Sequence, residues 1–519
     1  MVAAGKNSSS SGVGSRRLAA GAILAVALFL VLGWNDRHYW DEYFYLYSAY
    51  THSPAELVRY EQHSTLFPPG FFSEKIGHVA ILHAATSLLG AGERVLYLLQ
   101  GLYALMLVAT VVAAWALLRD LFGACLSREA SLALAFSPLV LYLAYKTLSE
   151  VPSLLLVTVG SWAFVRACLL GRGWRAAGWL GLAVVALAAG MLCRVTTIAA
   201  FGALGLGLLA AGDERFGRRA VLTRLVVTAI GVLALHTLGL ALAGGTIARV
   251  GGHIRNVVGS RSPMQRVYAL VCFAQGFALI LPFAWRRRRE RSVRLAAVWF
   301  AAAALPFALG FEPRYYVAAV VPFAVLAAVG LREAAGRGRL ALLAVLVLFD
   351  RVVFTPLMPY EVEQSNLLTL VRTMRTRDPG STALIPWISD YSLLRFAEPG
   401  APVELCVSNL PDSRLSTGGH AGALPGADAW WAGPAHYVGS RAALSLEPRP
   451  WEYIGWTYNP AVLDLLQLLG RAGLGHRVST DVQMHNHLTG SWVWHDPSLT
   501  PRLVRRRGEY YVYQLRDRG

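Results

Sequence analysis

Asn35-Asp36-Arg37-His38-Tyr39-Trp40-Asp41-Glu42-Tyr43-Phe44 follows directly on an apolar run over residues 18 to 34. It sets two adjacent carboxylates among aromatic side chains at the point where a helix leaves a bilayer. It also opens a polar loop that returns through Phe67-Pro68-Pro69-Gly70. Carboxylates held at a membrane boundary suit chemistry on a substrate delivered by the lipid.

Composition carries the same message. Of 519 residues, 55% are hydrophobic and 15% charged, with a mean hydropathy of +0.45, which marks a membrane protein rather than a soluble multidomain enzyme. Apolar runs of about 15 to 25 residues recur over the first two thirds, near the length that crosses ~30 Å of hydrocarbon. The net charge of +17 sits in short clusters between these runs, which is the positive-inside pattern and not a nucleic-acid surface. No nucleic-acid partner is expected, and Arg286-Arg287-Arg288-Arg289 reads as a cytoplasmic topology signal. Cys125, Cys168, Cys193, Cys272 and Cys406 show no CxxC or other ligand spacing, so neither a disulfide framework nor a thiolate metal site is expected. The bias to Arg, Ala, Leu and Gly, with lysine only at 6, 75 and 146, points to a bacterial source.

The runs define a topology. Residues 1–17, with Ser8-Ser9-Ser10-Ser11 and Arg16-Arg17, form a disordered cytoplasmic tail. The run 18–34 lacks an Ala-x-Ala cleavage site and is an uncleaved first span. An outer loop, 35–93, follows. Further spans lie near 95–118, 129–146, 150–170, 175–193, 196–211, 224–243, 266–285, 295–310, 315–331 and 339–356. The expected fold is therefore an α-helical polytopic membrane protein with about eleven transmembrane helices. The arginines between alternate spans all fall on the side of the N-terminus, as this count requires. Odd parity puts residues 357–519 outside the cytoplasm, where β-type runs such as Thr382-Ala383-Leu384-Ile385 and Tyr510-Tyr511-Val512-Tyr513 suggest a C-terminal extracytoplasmic α/β domain.

This topology carries several polar residues to one surface. Asp41 and Glu42 lie in the first outer loop, Lys146 and Glu150 flank the turn between the third and fourth spans, and Arg194 lies between the fifth and sixth. Glu312, Arg314 and Tyr315 lie between the ninth and tenth. Carboxylates there could activate a hydroxyl, and guanidinium groups could hold a phosphate bidentately.

With these residues in order, the sequence resembles the GT-C membrane glycosyltransferases, most closely the protein O-mannosyltransferase and lipid A aminoarabinose transferase type. The stretches that carry the resemblance are Asp41-Glu42, Phe67-Pro68-Pro69-Gly70, Leu148-Ser149-Glu150-Val151-Pro152, Arg194-Val195-Thr196-Thr197, and Arg314-Tyr315 through Pro322. The resemblance covers roughly residues 18–335, the transmembrane GT-C module being 18–356. The resemblance implies an inner-membrane enzyme that moves a sugar from a polyprenyl-phosphate donor to a lipid, glycan or protein acceptor, with inversion, on the extracytoplasmic (periplasmic) face. It gives Asp41 the role of base, with Glu42 and Glu150 as further catalytic candidates. Arg314, Tyr315, Arg194 and Lys146 are the candidates for the donor phosphate, and His63 for acceptor or sugar contact. Many relatives have His or Lys immediately before the Pro-Pro pair, where Phe67 stands here. No cofactor is required, although Asp41 and Glu42 are also a candidate site for a divalent metal ion.

Simpler roles compete for these residues. Asp41-Glu42 could begin a surface helix, where acids near the N-terminus are favourable. Thr147-Leu148-Ser149-Glu150 fits a capping box. Arg314, Arg194 and Lys146 could snorkel from helix ends. In the C-terminal domain, His485-Asn486-His487 with His495 lacks a full ligand set for zinc, and Trp430, Trp431, Trp451, Trp456, Trp492 and Trp494 suit a small core as well as a sugar platform. A transporter or flippase of lipid-linked sugar would place ionisable residues within spans, whereas these acids cluster at outer helix ends. A noncatalytic assembly subunit would tolerate loss of Asp41.

Overall fold

The computed structural model describes residues 11–63, 70–212, 215–252, 263–307, 313–354, 362–377, 382–385, 388–405, 435–440, 499–507 and 510–517. Phe67-Pro68-Pro69, Glu312, Cys406, the six tryptophans from Trp430 to Trp494, and the histidines 485, 487 and 495 lie outside these residues.

The protein is a multi-pass helical membrane protein. Among the described residues, five helical stretches are long and apolar enough to cross a membrane: Glu93–Phe122, Glu150–Leu169, Trp174–Cys193, Arg218–Leu242 and the run Pro313–Val352. Shorter apolar helices occupy Ala20–Gly33, Val195–Ala211 and Ala269–Trp285. The helix Arg218–Leu242 shows why the bilayer is its solvent. Leu222, Val226, Ile230 and Leu233 recur along one exposed stripe, a face that only lipid covers without penalty.

Several expected spans are interrupted, each for a local reason. The span expected over 129–146 divides into Ala124–Ala135 and Pro138–Leu143, because Pro138 lacks the amide that would continue the first helix and suits the first turn of the next. The span expected over 266–285 breaks at Gln275, which has φ +44°. The Asp350 carboxylate of the last apolar run accepts from the Gly276 amide (2.7 Å), capping the restarted turn. From Asp350 the last run itself widens into a π-helical turn to Phe354.

The described residues of the loop 35–93 are largely helical. A two-residue strand β1 (Arg37–His38) leads into the helix Trp40–Thr51, followed by Pro54–His63, a 3₁₀ turn at Ser73–Lys75 and the helix Ile76–Leu89. Strand β2 (Val362–Glu363) pairs antiparallel with β1, so the C-terminal segment starts beside the Asp41 helix. Helices Gln364–Arg377 and Ile388–Ala397 flank strands β3 (Thr382–Ile385) and β4 (Val403–Leu405). With β5 (Ala435–Ser440), β6 (Leu499–Arg507) and β7 (Tyr510–Asp517) these form one mixed sheet in the order β4-β3-β5-β7-β6. Pairing is parallel on both sides of β3 and antiparallel on both sides of β7.

At the opposite end of the helices, Glu129 pairs with Arg332 (2.8 Å) and Arg339 (3.0 Å), and Arg287 with Glu333 (2.9 Å). These bridges tie basic residues of the expected cytoplasmic side to one another's helices.

Candidate active site

The helix carrying Asp41 starts at Trp40, so Asp41 and Glu42 occupy its first turn. Adjacent residues on a helix point about 100° apart, and the two carboxylates have different surroundings. Glu42 turns back on its own helix end. Its carboxylate accepts the Tyr39 amide (2.8 Å) and, from the loop before the fourth span, the Thr147 amide (2.9 Å), with His38 Nδ1 at 3.3 Å. It is a cap and a staple.

Asp41 faces the cations. Arg314 Nη1 donates to Asp41 Oδ1 (3.0 Å) and Oδ2 (2.8 Å), and Lys75 Nζ lies 3.5 Å from Oδ2. Arg314 is delivered by the 3₁₀ turn Pro313–Ala319 and lies over the Tyr39 ring (4.1 Å). Its Nε is 3.4 Å from Glu150 Oε1, and the same oxygen is 3.0 Å from Arg194 Nη1. Arg194, the residue that ends helix Trp174–Cys193, also donates to Ser149 Oγ (3.2 Å) and lies over the Tyr315 ring (4.9 Å). One continuous network therefore runs Lys75, Asp41, Arg314, Glu150, Arg194. All five side chains are buried, as is Glu74.

The capping box expected at 147–150 is not formed. Glu150 is itself the first residue of its helix, and its carboxylate accepts from Ser149 Oγ (3.1 Å) and pairs with the two arginines. Helix Glu150–Leu169 and helix Trp174–Cys193 bring Glu150 and Arg194 together through close packing at Gly160 and Gly190. A Cβ on Gly160 would lie 2.6 Å from Leu187 Cγ, and one on Gly190 2.9 Å from Val157 Cγ2. Small residues permit such approach between membrane helices. Ser153 bonds the Gly190 carbonyl (2.6 Å) and the Thr197 hydroxyl, and Thr197 bonds the Arg194 carbonyl (2.7 Å), which fixes the turn that presents Arg194.

Burial alone pushes the Asp41 carboxyl up; Arg314 and Lys75 outweigh it and hold the group below its ordinary value of 3.8. Burial pushes the Lys75 ammonium down from 10.5, with Asp41 opposing. For Arg194, Glu150 and Glu74 outweigh burial and hold the guanidinium charged.

Asp41, Glu150, Arg194, Arg314 and Tyr315 are thus brought together. Lys146 is not in this network. It follows Tyr145, whose φ is +61°, and its fully buried amine lies over the Tyr142 ring (4.9 Å) without a hydrogen-bond partner among the described residues. His63 ends its helix, and its side chain lies outside the described residues. Lys75 was missed by sequence reading. The available signal was that it is one of three lysines in an arginine-rich chain. Glu61, also missed, accepts the amides of Gly70 (3.2 Å), Phe72 (2.7 Å) and Ser73 (3.1 Å) and the Ser73 hydroxyl (2.5 Å), shaping the turn that carries Lys75.

A divalent ion at Asp41 and Glu42 does not fit this arrangement. The two carboxylates diverge, one neutralised by Arg314 and Lys75 and the other occupied by backbone amides, and a divalent cation needs several convergent oxygens. Among the described residues no group of three or more His, Cys, Asp or Glu side chains converges.

A buried network of carboxylates and cations at the helix ends is what the structure presents, and comparison with known proteins adds to it. Residues 75–240 match the family described as dolichyl-phosphate-mannose-protein mannosyltransferase. The fold is similar to that of ArnT from Cupriavidus metallidurans in the apo state, with a TM-score of 0.55 and 15% identity over 97% of this chain and 98% of that one. The same protein bound to undecaprenyl phosphate overlays with a TM-score of 0.49 and 14% identity over the same shares. The archaeal oligosaccharyltransferase AglB from Archaeoglobus fulgidus, in complex with an inhibitory peptide and a dolichol-phosphate, gives 0.45 and 13% identity over 74% of this chain and 64% of that one. No curated protein sequence matches the chain. The chain has the fold of that apo ArnT structure, and residues 75–240 match the mannosyltransferase family model.

Proposed function

We propose that the protein transfers a sugar from a polyprenyl-phosphate donor to a lipid, glycan or protein acceptor on the extracytoplasmic face of a bacterial inner membrane, with inversion. The observation that carries this reading is the contact of Arg314 Nη1 with both Asp41 carboxylate oxygens, flanked by Lys75 on one side and Glu150 with Arg194 on the other. It joins a carboxylate for the acceptor to cations for a phosphate. The description of the matching family, which names a dolichyl-phosphate sugar, agrees with such a donor.

In the proposed step the acceptor oxygen attacks the anomeric carbon while the bond from that carbon to the phosphate oxygen breaks. Asp41 takes the acceptor proton, a contribution of about 100-fold to 10,000-fold for a positioned base. Polyprenyl phosphate leaves with one more negative charge, and Arg314, Lys75 and Arg194 stabilise it, each donor worth on the order of 3 kcal/mol in a partly dry site. As these cations turn toward the phosphate, their hold on Asp41 weakens and its basicity rises when the proton arrives. Glu150 keeps Arg194 and Arg314 aligned, Tyr315 supports Arg194, and Glu42 fixes the helix end. Lys146, over the Tyr142 ring, stands apart from this network and has no part in the proposed phosphate site.

The domain reading that goes with this function is a tail over 1–17, a catalytic module over 18–356 with about eleven crossings, and an extracytoplasmic α/β domain over 357–519. The test is transfer of radiolabel from a panel of polyprenyl-phosphate sugars into a membrane extract by the purified protein in lipid. One donor should be consumed by the wild type and by Asp41→Glu at a reduced rate, and not by Asp41→Asn. Equal turnover by Asp41→Asn would remove Asp41 as base, and ATP- or gradient-dependent movement of donor without sugar transfer would favour a transporter.

A further inference from the structure

We propose that Gln364, where the C-terminal segment begins, is a positioning residue for Asp41, so that this segment is part of the catalytic machinery rather than a separate module. The inference rests on the reading of Asp41 as base.

The first turn of the Asp41 helix is held on two faces. Arg314 holds one through Asp41 itself. Tyr43, two residues on and therefore about 200° around the helix, donates its buried hydroxyl to the Gln364 side-chain carbonyl (2.5 Å). The same carbonyl accepts from Gln100 Nε2 (2.6 Å) of the span Glu93–Phe122. One buried amide thus ties together the C-terminal segment, the Asp41 helix and a membrane span. Its backbone is fixed as well. Gln364 N donates to the Asp36 carbonyl (3.1 Å), the next residue, Ser365, donates its amide (2.9 Å) and hydroxyl (2.5 Å) to Asp36 Oδ1, and β1 pairs with β2 immediately before.

Loss of the carbonyl leaves the Tyr43 hydroxyl and the Gln100 amide buried without their acceptor. The helix end then keeps its ties through Glu42 and Arg314 but loses the one on its Tyr43 face, and Asp41 shifts with it. The phosphate-binding cations sit on other elements, with Lys75 on the turn Ser73–Lys75, Arg194 after helix Trp174–Cys193 and Arg314 on the turn Pro313–Ala319. A displaced base with cations in place lowers the rate of the chemical step while leaving donor binding alone, since a shift of ~1 Å at a reacting group costs about 100-fold.

The experiment uses the full chain in lipid nanodiscs, with the polyprenyl-phosphate sugar that the wild type turns over, and compares Gln364→Leu, Gln364→Glu, Tyr43→Phe, the double variant Tyr43→Phe/Gln364→Leu, and Asp41→Asn. Gln364→Leu should lower kcat by about tenfold or more with donor KM within about twofold of wild type. Gln364→Glu keeps the acceptor oxygens and should restore most of kcat. Tyr43→Phe, which removes a single hydroxyl and carries the prediction should Gln364→Leu fail to fold, should show a smaller kcat loss. The double variant should be no worse than Gln364→Leu alone. Wild-type kcat in Gln364→Leu beside an inactive Asp41→Asn overturns the positioning role only. A rise in KM equal to the fall in kcat, or no rescue by Gln364→Glu, does the same. An active Asp41→Asn overturns the base assignment and the inference with it.

Discussion

Arg314 is the residue on which most depends, because it touches both carboxylates of the network. Removing one partner of a buried ion pair leaves an uncompensated charge at a cost of about 3–5 kcal/mol. Arg314→Gln should therefore abolish transfer and lower thermal stability in detergent, while Asp41→Asn/Arg314→Gln should regain stability and remain inactive. Thermal unfolding and the transfer assay check the two halves separately. Asp41 sets the pH behaviour. Its folded-state pKa lies below 3.8, so the stability it contributes is present above 3.8 and is lost as pH falls through the lower folded value. The difference in unfolding temperature between wild type and Asp41→Asn should be constant above about pH 5 and shrink below it. A difference that changes near neutral pH would show that the carboxyl is not held low. Lys146→Met should leave donor binding intact without loss of stability, since it removes a buried amine that lacks an acceptor.

At the scale of elements, the site depends on how closely two helices approach. Gly160 and Gly190 let helix Glu150–Leu169 lie against helix Trp174–Cys193, which sets the 3.0 Å contact of Glu150 with Arg194. Gly190→Ala should separate them by a few tenths of an ångström and lower kcat severalfold with the protein still folded, as read by steady-state kinetics and size exclusion; unchanged kcat would show that this packing does not govern the site. The sequence made these ends legible because charged residues at the ends of apolar runs stand out against composition. Asp41, Glu150, Arg194 and Arg314 were found in that way. Lys75 was not, because it lies inside a loop whose helices are too short and mixed to leave a clear periodicity. The side to which Lys146 points was not legible either, because it follows from the positive φ of Tyr145, and a tyrosine gives no warning of that conformation. Nor does spacing tell that Glu42 turns back as a cap while its neighbour faces the cations.

For the whole molecule, pairing of β1 with β2 joins the first outer loop to the C-terminal segment, and contacts of Tyr391 with Tyr47 and of Phe396 with Tyr50 seat the helix Ile388–Ala397 on the Asp41 helix. The proposed topology puts both regions on one side of the membrane, opposite to the Arg286–Arg289 cluster. In a background lacking Cys125 and Cys406, Gly400→Cys should react with a membrane-impermeant thiol reagent in right-side-out vesicles and Arg288→Cys only in inverted ones; the reverse pattern would invert the topology. Binding of undecaprenyl phosphate to the purified protein, followed by native mass spectrometry and compared among the wild type, Arg314→Gln, Lys75→Gln and Lys146→Met, reads the donor site itself. The lipid phosphate should be retained by the wild type and Lys146→Met, and largely lost from Arg314→Gln and Lys75→Gln. Equal binding by all four would place the phosphate elsewhere and contradict the assignment of the buried network as the donor site.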